Sequence, residues 1–279
     1  MKVFSTLIWN GESDISLYLD CIKSQAENCK DYFVVCNNLA EEELKKLGIK
    51  TMDHTEVMTQ QFEVLINQVW QEGKFACGSD ILRILTLKKI GEGCHLDGDI
   101  YVTSPIDDIL SSVPEGGIVI GVENGGWICS GALISRNSEM MKSCAEYLLS
   151  RDVLESWWQV YGSMLLARFI PENKEHISFL NPAIFMGVHY EVMRKVGSVD
   201  IQKYLSANSL ARGLHMFGAS VEEISSTSKK DHLTGEVYNS EYYSAEFTDN
   251  SPLFSYESKK VKIYKTTSPK CKYSNKVRL

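Results

Sequence analysis

The sequence contains no long apolar run. None of its windows approaches the about 18 uninterrupted apolar residues that identify a membrane-spanning helix. The stretch Met1–Trp9 carries one basic side chain and an apolar run too short for the core of a secretory signal peptide. We therefore expect a soluble chain without a transmembrane segment, in the cytoplasm or delivered as an effector into the cytosol of a host cell.

Closely spaced cysteines are also missing. The eight cysteines are scattered along 279 residues and form no C-x-x-C pair. This distribution predicts buried free thiols in a reducing compartment, and it argues against the usual kind of structural zinc site.

Basic charge is in deficit. The 29 Lys and Arg residues stand against 36 Asp and Glu residues, a net charge of -7, and we expect no nucleic-acid partner because binding to phosphates normally needs a basic surface. The exception is the segment 259–279, which carries eight basic residues and no acidic one. We interpret it as a basic C-terminal tail that either frays into solvent or contacts an anionic diphosphate, an acidic acceptor or a membrane surface.

The composition and the order of the predicted elements indicate an α/β fold. With 44% hydrophobic residues and a mean hydropathy of -0.16, the chain suits one large globular domain. Predicted strands cover Val3–Trp9, Tyr32–Cys36 and Ile49–Met52, and predicted helices begin at Ser13, Glu41, Thr59 and Ser79. This alternation predicts a mostly parallel sheet flanked by helices, and such sheets bind ligands at the carboxyl ends of their strands.

The second half of the chain is more mixed. Two strands are predicted within 117–135, and Asn137 can cap the helix that follows them. The region 220–258 is rich in Ser, Thr and Tyr, which suggests loops around a site.

A further predicted strand begins at Cys94 and ends in an acidic turn. Asp97 and Asp99 are two residues apart, so in extended backbone both carboxylates point to the same side. Gly98 between them allows a tight bend and the close approach of a ligand. Two carboxylates suit a divalent ion such as Mn²⁺ or Mg²⁺, which can bridge the phosphates of a nucleoside diphosphate and stabilise it as a leaving group. A lone triplet of this kind is usually a solvated turn.

The longer segment Cys77–Asp99 strengthens the interpretation of that turn as a binding site. It holds Ser-Asp-Ile-Leu-Arg, then an apolar helix, then Leu-Asp-Gly-Asp, and it resembles the sugar-binding signature of DXD glycosyltransferases with a GT-A fold, including the glucosylating domains of large clostridial toxins. Glu92 and His95 depart from that pattern. The resemblance implies a Rossmann-like nucleotide-binding fold, a UDP-sugar donor carrying a hexose or N-acetylhexosamine, and transfer with retention to a glycan or protein acceptor, as in surface-polysaccharide synthesis.

The resemblance also divides the chain. A single domain is expected over 1–258, with a nucleotide-sugar-binding half at 1–110 and an acceptor-side half at 111–258, followed by the tail 259–279.

Several donor-binding roles follow from the resemblance. Asp80 and Arg83, which follow Ser79 in the signature, would contact hydroxyls of the donor sugar or ribose. The alternative for this pair is a surface ion pair beside a Ser79 helix cap, which stabilises little. Trp9, after the first strand, would stack on the uracil base, and a plain core Trp is its alternative.

Two further positions resemble parts of other transferases. Glu123 and Asn124 look like the Glu-Asn-Gly stretch of bacterial effectors that add N-acetylglucosamine to arginine, which would place both near the reaction centre; a structural turn is the alternative. His215 matches a His-x-x-Gly sequence that supplies the third metal ligand in a retaining family.

His232, Asn250 and Ser251 compete with His215 for that ligand role. Three other functions also stay open: a nucleotide-sugar-binding protein without turnover, a metal-dependent phosphohydrolase that would require further carboxylates or histidines, and a zinc site built on Cys94 and His95 with the aspartates.

Overall fold

The computed structural model describes residues 1–123, 128–150, 162–187, 207–216, 242–247, 252–255 and 261–266. The strands are β1 (Lys2–Leu7), β2 (Tyr32–Cys36), β3 (Thr51–Asp53), β4 (Gly93–Leu96), β5 (Ile100–Val102), β6 (Ile118–Val122), β7 (Ile128–Ser135), β8 (Ile177–Leu180), β9 (Gly213–His215), β10 (Tyr242–Phe247), β11 (Leu253–Ser255) and β12 (Val261–Thr266). The helices are α1 (Ser16–Asn28), α2 (Asn38–Lys46), α3 (Gln60–Gln71), α4 (Phe75–Ile90), α5 (Asp107–Ser112), α6 (Ser138–Leu149) and α7 (Ser163–Phe169), and short 3-10 turns cover His54–Val57, Lys174–His176 and Pro182–Ile184.

An eight-stranded sheet organises the molecule, with strand order β11-β8-β6-β7-β4-β1-β2-β3. The strands β1, β2, β3, β4, β6 and β8 run in one direction, and only β7 and β11 within this sheet oppose them. The predicted α/β class, with a mostly parallel sheet flanked by helices, is confirmed.

The two faces of the sheet carry separate hydrophobic cores. Adjacent residues of a strand point to opposite faces, so Phe4 of β1 packs under α3, α4, α6 and α7 while Val3 packs under α1, α2 and α5. Both side chains are fully buried. The result is a three-layer α/β/α arrangement.

Helix α4 begins four residues earlier than predicted. It starts at Phe75, so Ser79 lies inside the helix and is not its cap, and Gly91 ends it with a φ of 77°. Gly78 belongs to the helix because Trp70 packs against it: a Cβ at Gly78 would lie 2.1 Å from Trp70 Nε1. Packing therefore overrides the low helix propensity of glycine at this point.

Some of the other predicted element boundaries are correct and one is wrong. Strand β2 has the predicted bounds, and Asn137 caps α6 by accepting a hydrogen bond from Met140 N. Ser13 is not the cap of α1, since the helix begins at Ser16 after an Ile15 N-cap that makes no side-chain bond.

Six residues of the predicted tail form a strand. Val261–Thr266 forms β12 and pairs antiparallel with β10, so these residues are not a frayed end. Seven cysteines fall in the described residues, and all are free and buried, as predicted. No helix in the described portion is long and apolar enough to cross a membrane.

Candidate active site

The acidic turn follows β4 at the edge of the sheet where the parallel strands end. Its backbone is held from two sides: Asp97 N donates to Gly131 O of β7 at 2.7 Å, and Met216 N donates to Asp99 O at 2.8 Å. The turn itself is closed by a 3.0 Å bond from Ile100 N to Asp97 O. The positions of both carboxylates are thereby fixed relative to the sheet.

A histidine 116 residues after Asp99 in the sequence completes the cluster. Strand β9 pairs antiparallel with β5 so that His215 lies opposite Ile100. His215 Nε2 is 3.0 Å from Asp99 Oδ1 and 3.9 Å from Asp97 Oδ2. Each of the three side chains offers one ligand atom, and these atoms lie within 4.8 Å of one another.

This donor set fits a divalent cation. Two carboxylate oxygens and one imidazole nitrogen suit Mn²⁺, and the carboxylates alone also suit Mg²⁺. Gly131 keeps space beside the site, because a Cβ there would lie 2.8 Å from Asp97 Oδ2. His215 Nδ1 lies 3.0 Å from the thioether sulfur of Met186, so the nitrogen that faces the carboxylates is Nε2.

The negative charges around His215 also favour a cation at this position. Burial by itself lowers the pKa of His215, but the charge of Asp99 and its hydrogen bond, followed by the charges of Asp97 and Glu123, raise it to about 9. The imidazole is therefore protonated at neutral pH when no metal is bound.

Glu123 lies beside this cluster at the end of β6. Burial raises the pKa of its carboxyl, the charge of His215 lowers it, and the charge of Asp97 raises it further. Glu123 therefore interacts electrostatically with His215 and Asp97. The predicted residues Asn124, His232, Asn250 and Ser251 lie outside the described residues.

Asp80 and Arg83 form the other flank of Asp97. Arg83 Nη2 is 2.5 Å from Asp97 Oδ1, and Arg83 Nη1 is 3.0 Å from Asp80 Oδ1. Arg83 and Asp80 are only 4% and 7% exposed, so the alternative of a surface ion pair is wrong. Burial raises the pKa of Asp80 to about 7 against the opposing charge of Arg83. Ser79 is half-buried in the same helix.

Arg83 is incompletely satisfied within the described residues, because its buried Nε has no hydrogen-bond partner there. Ser130 Oγ of β7 lies 3.5 Å from Asp80 Oδ1, at the outer limit of a hydrogen bond. A ligand hydroxyl beside this flank would meet charged groups that are already held in place.

Trp9 lies past the end of β1, on the same sheet edge as the acidic turn. It is half-buried, and its indole Nε1 donates to Ser13 O at 2.9 Å. Asn37 holds its backbone by accepting from Trp9 N and donating to Trp9 O. The indole is thus fixed near the ends of β1 and β2, and part of it stays accessible.

The zinc alternative does not fit the strand geometry. Cys94 and His95 are consecutive in β4 and therefore face opposite sides of the sheet; Cys94 packs in the core beneath α1, and His95 contacts the ring of Phe4 beneath α4. One ion cannot be held by both side chains.

Sequence reasoning missed two residues of the site. Met186 lies beside His215, and Gln25 of α1 bonds to backbone carbonyls of the acidic turn. Neither belongs to a motif, and their contacts arise only from the packing of distant segments, so no sequence signal was available to find them.

Comparison with known proteins places the fold. No family model and no curated protein matches the sequence. The structure of mouse xyloside xylosyltransferase 1 in its apo form matches at 13% identity, covering 77% of this chain and 96% of that chain, with a TM-score of 0.50. Also similar are the PaToxG glycosyltransferase (17% identity, 62% and 71% coverage, TM-score 0.46) and the galactosyltransferase LgtC in complex with donor and acceptor sugar analogs (12%, 83% and 98%, 0.40).

Proposed function

We propose that this chain is a metal-dependent glycosyltransferase that takes a hexose or N-acetylhexosamine from a UDP-sugar. The observation that carries the proposal is the convergence of Asp97, Asp99 and His215 at the carboxyl edge of the sheet. The fold supports it, since the similar mouse structure is named a xylosyltransferase. Open α/β sheets bind their ligands at this edge.

The three clustered residues would hold Mn²⁺ or Mg²⁺. A bound divalent cation supplies charge neutralisation for a diphosphate leaving group. Arg83 occupies Oδ1 of Asp97, which leaves Oδ2 facing His215 and available as a ligand atom.

We propose roles in donor binding for the remaining predicted residues. Trp9 would support the base, while Ser79, Asp80 and Arg83 would contact donor hydroxyls from helix α4. Glu123 interacts electrostatically with His215 and Asp97, and its carboxyl would lie close to the transferred sugar.

Asn124, the neighbour of Glu123, is included in the proposal on the sequence resemblance alone. On the same ground we propose retention of anomeric configuration, which NMR of the glycoside product would test.

The acceptor is proposed to be a glycan or a protein reached from the acceptor-side half 111–258. The tail 259–279 would provide basic contacts to the diphosphate, the acceptor or a membrane surface. The proposed site of action is the cytoplasm, or a host cytosol if the chain is delivered there.

The test is release of nucleoside diphosphate from a panel of UDP- and GDP-sugars with Mn²⁺, Mg²⁺ or EDTA. We expect slow release from one UDP-sugar, lost with EDTA and in Asp99→Asn. Asp20→Asn is the matched control, because Asp20 is an exposed aspartate of α1, and it should behave as the wild type.

Other outcomes identify other functions. Release of inorganic phosphate from simple phosphate esters would instead indicate a phosphohydrolase. A donor-induced rise in melting temperature without release, even with a panel of acceptor glycans, would indicate a binding protein. No release and no shift with any donor would overturn the transferase.

A further inference from the structure

A buried amide lies directly beneath the acidic turn. Gln25 of α1 is 0% exposed, and its Nε2 is 2.9 Å from the carbonyl oxygen of Asp97 and 2.7 Å from that of Ile100. The two amide protons therefore reach the two ends of the turn. A single side chain bridges the segment that carries both carboxylates.

Chemistry decides which end of the amide faces the turn. Backbone carbonyls only accept hydrogen bonds, so the atom between them must be the donor Nε2. The other end, Oε1, lies 2.5 Å from Ser5 Oγ and 3.0 Å from Tyr32 Oη, and both hydroxyls can donate. A flipped amide would set Oε1 against two carbonyls and lose these bonds, so one orientation is strongly favoured.

The surrounding network leads back to the same strand. Ser5 Oγ also lies 2.7 Å from Leu96 O, and its single proton serves either Leu96 or Gln25 at one time. Gln25 and Ser5 thus reach the carbonyls of Leu96, Asp97 and Ile100. These contacts are buried, except that the bond from Gln25 to the Asp97 carbonyl is part-buried. A bond lost in such surroundings costs the desolvation of the group left unpaired.

We propose that Gln25 is a positioning residue for the metal site. By bonding both ends of the turn, it holds Asp97 and Asp99 at the spacing that a divalent cation requires. It acts through the backbone and not by contacting the cation. The inference rests on the proposed function, since it requires that the two carboxylates bind metal.

Helix α1 provides a matched control in Asn28. Its Nδ2 donates to Ser24 O at 2.9 Å and to Val102 O at 3.1 Å. Asn28 thus joins α1 to β5 with the same chemistry as Gln25, but at the far end of β5 and away from the carboxylates.

The experiment compares Gln25→Met and Asn28→Leu with the wild type. Dissociation constants for Mn²⁺ are measured by EPR, and thermal unfolding is followed in EDTA. Both variants should unfold at lower temperature. Only Gln25→Met should weaken Mn²⁺ binding, by about tenfold or more, as loss of outer-shell support usually does, while Asn28→Leu should stay within about twofold.

The outcomes separate this inference from the proposed function. Equal Mn²⁺ affinity in Gln25→Met and the wild type would overturn the positioning role and leave the metal site standing. Failure of the wild type to bind Mn²⁺, and of Mg²⁺ to raise its melting temperature above that in EDTA, would overturn the metal dependence and this inference together.

If Gln25→Met does not fold, Tyr32→Phe replaces it. This variant removes one hydroxyl that orients Oε1 and keeps both Nε2 donors. A loss of Mn²⁺ affinity of about two- to threefold would then support the role, and an affinity equal to that of the wild type would refute it.

Discussion

The two flanks of the candidate site neutralise their carboxylates in different ways. On the α4 flank (Asp80, Arg83 and Asp97), a guanidinium that is always charged contacts both carboxylates. On the β9 flank (Asp99 and His215), an imidazole 3.0 Å from the carboxylate provides the charge, and it can lose its proton.

This difference indicates where a metal is needed. On the α4 flank, one guanidinium contacts two carboxylates and provides a counter-charge with or without a cation. On the β9 flank, the proton of His215 and a metal ion are alternatives, because a histidine ligand must be neutral. The α4 flank should therefore govern stability, and the β9 flank should govern metal-dependent activity.

Asp99→Asn tests the β9 flank and should give the largest effect. An amide is a poor ligand for the cation, so donor turnover should fall by about a thousandfold, near the upper range for loss of one group that stabilises transition-state charge. Stability in EDTA at neutral pH should fall by about 1–3 kcal/mol, because the buried charge that holds the proton on His215 is lost, although the amide oxygen can still accept a hydrogen bond from His215. Diphosphate release and urea unfolding measure the two quantities.

Arg83→Met tests the α4 flank by leaving Asp80 and Asp97 without their buried counter-charge. Removing one partner of a buried pair costs about 3–5 kcal/mol, so urea unfolding in EDTA should show a large loss. Arg136→Met is a control, because Arg136 pairs with Glu92 nearer the surface. Equal losses in Arg83→Met and Asp99→Asn would remove the distinction between the flanks.

The pH dependence of Mn²⁺ binding depends on His215. Its pKa in the metal-free protein is about 9, above the ordinary value, so a proton must leave when metal binds at neutral pH. Affinity should rise by about tenfold per pH unit from about pH 7 and level off near the pKa. In His215→Gln, the affinity should be about 10- to 100-fold lower and nearly independent of pH in that range.

The raised pKa of His215 also makes the stability of the metal-free protein depend on pH. Stability should fall as the pH rises, whereas Mn²⁺ affinity should increase. Because the folded pKa of His215 exceeds the unfolded value, its contribution to stability is complete below about pH 6.5 and is lost as the pH rises through about 9. Unfolding in EDTA at several pH values would show this slope, and His215→Gln should remove it between about pH 8 and 9, where Asp80, with a pKa of about 7, is already ionised. A wild type with a flat profile would contradict the assigned protonation.

Sequence patterns predicted the fold better than they predicted the supports of the site. The alternation of strands and helices was sufficient for the α/β class, and Cys77–Asp99 predicted the acidic turn from spacing and resemblance. The start of α4 was missed because the contact between Gly78 and Trp70 is tertiary. Gln25 was missed for the same reason: a buried glutamine has no motif, and its partners lie 72 and 75 residues away.

Ser130→Ala, on the α4 flank, should give the smallest effect. Ser130 Oγ lies 3.5 Å from Asp80 Oδ1, and Asp80 already contacts Arg83 at 3.0 Å. A hydrogen bond this long adds little to a carboxylate that already has a close counter-charge. Ser130→Ala should therefore change stability by less than about 0.5 kcal/mol and donor KM by about twofold at most. A tenfold rise in KM with unchanged stability would instead mean that Ser130 contacts the donor. The α4 flank would then bind the donor in addition to holding buried charges of opposite sign.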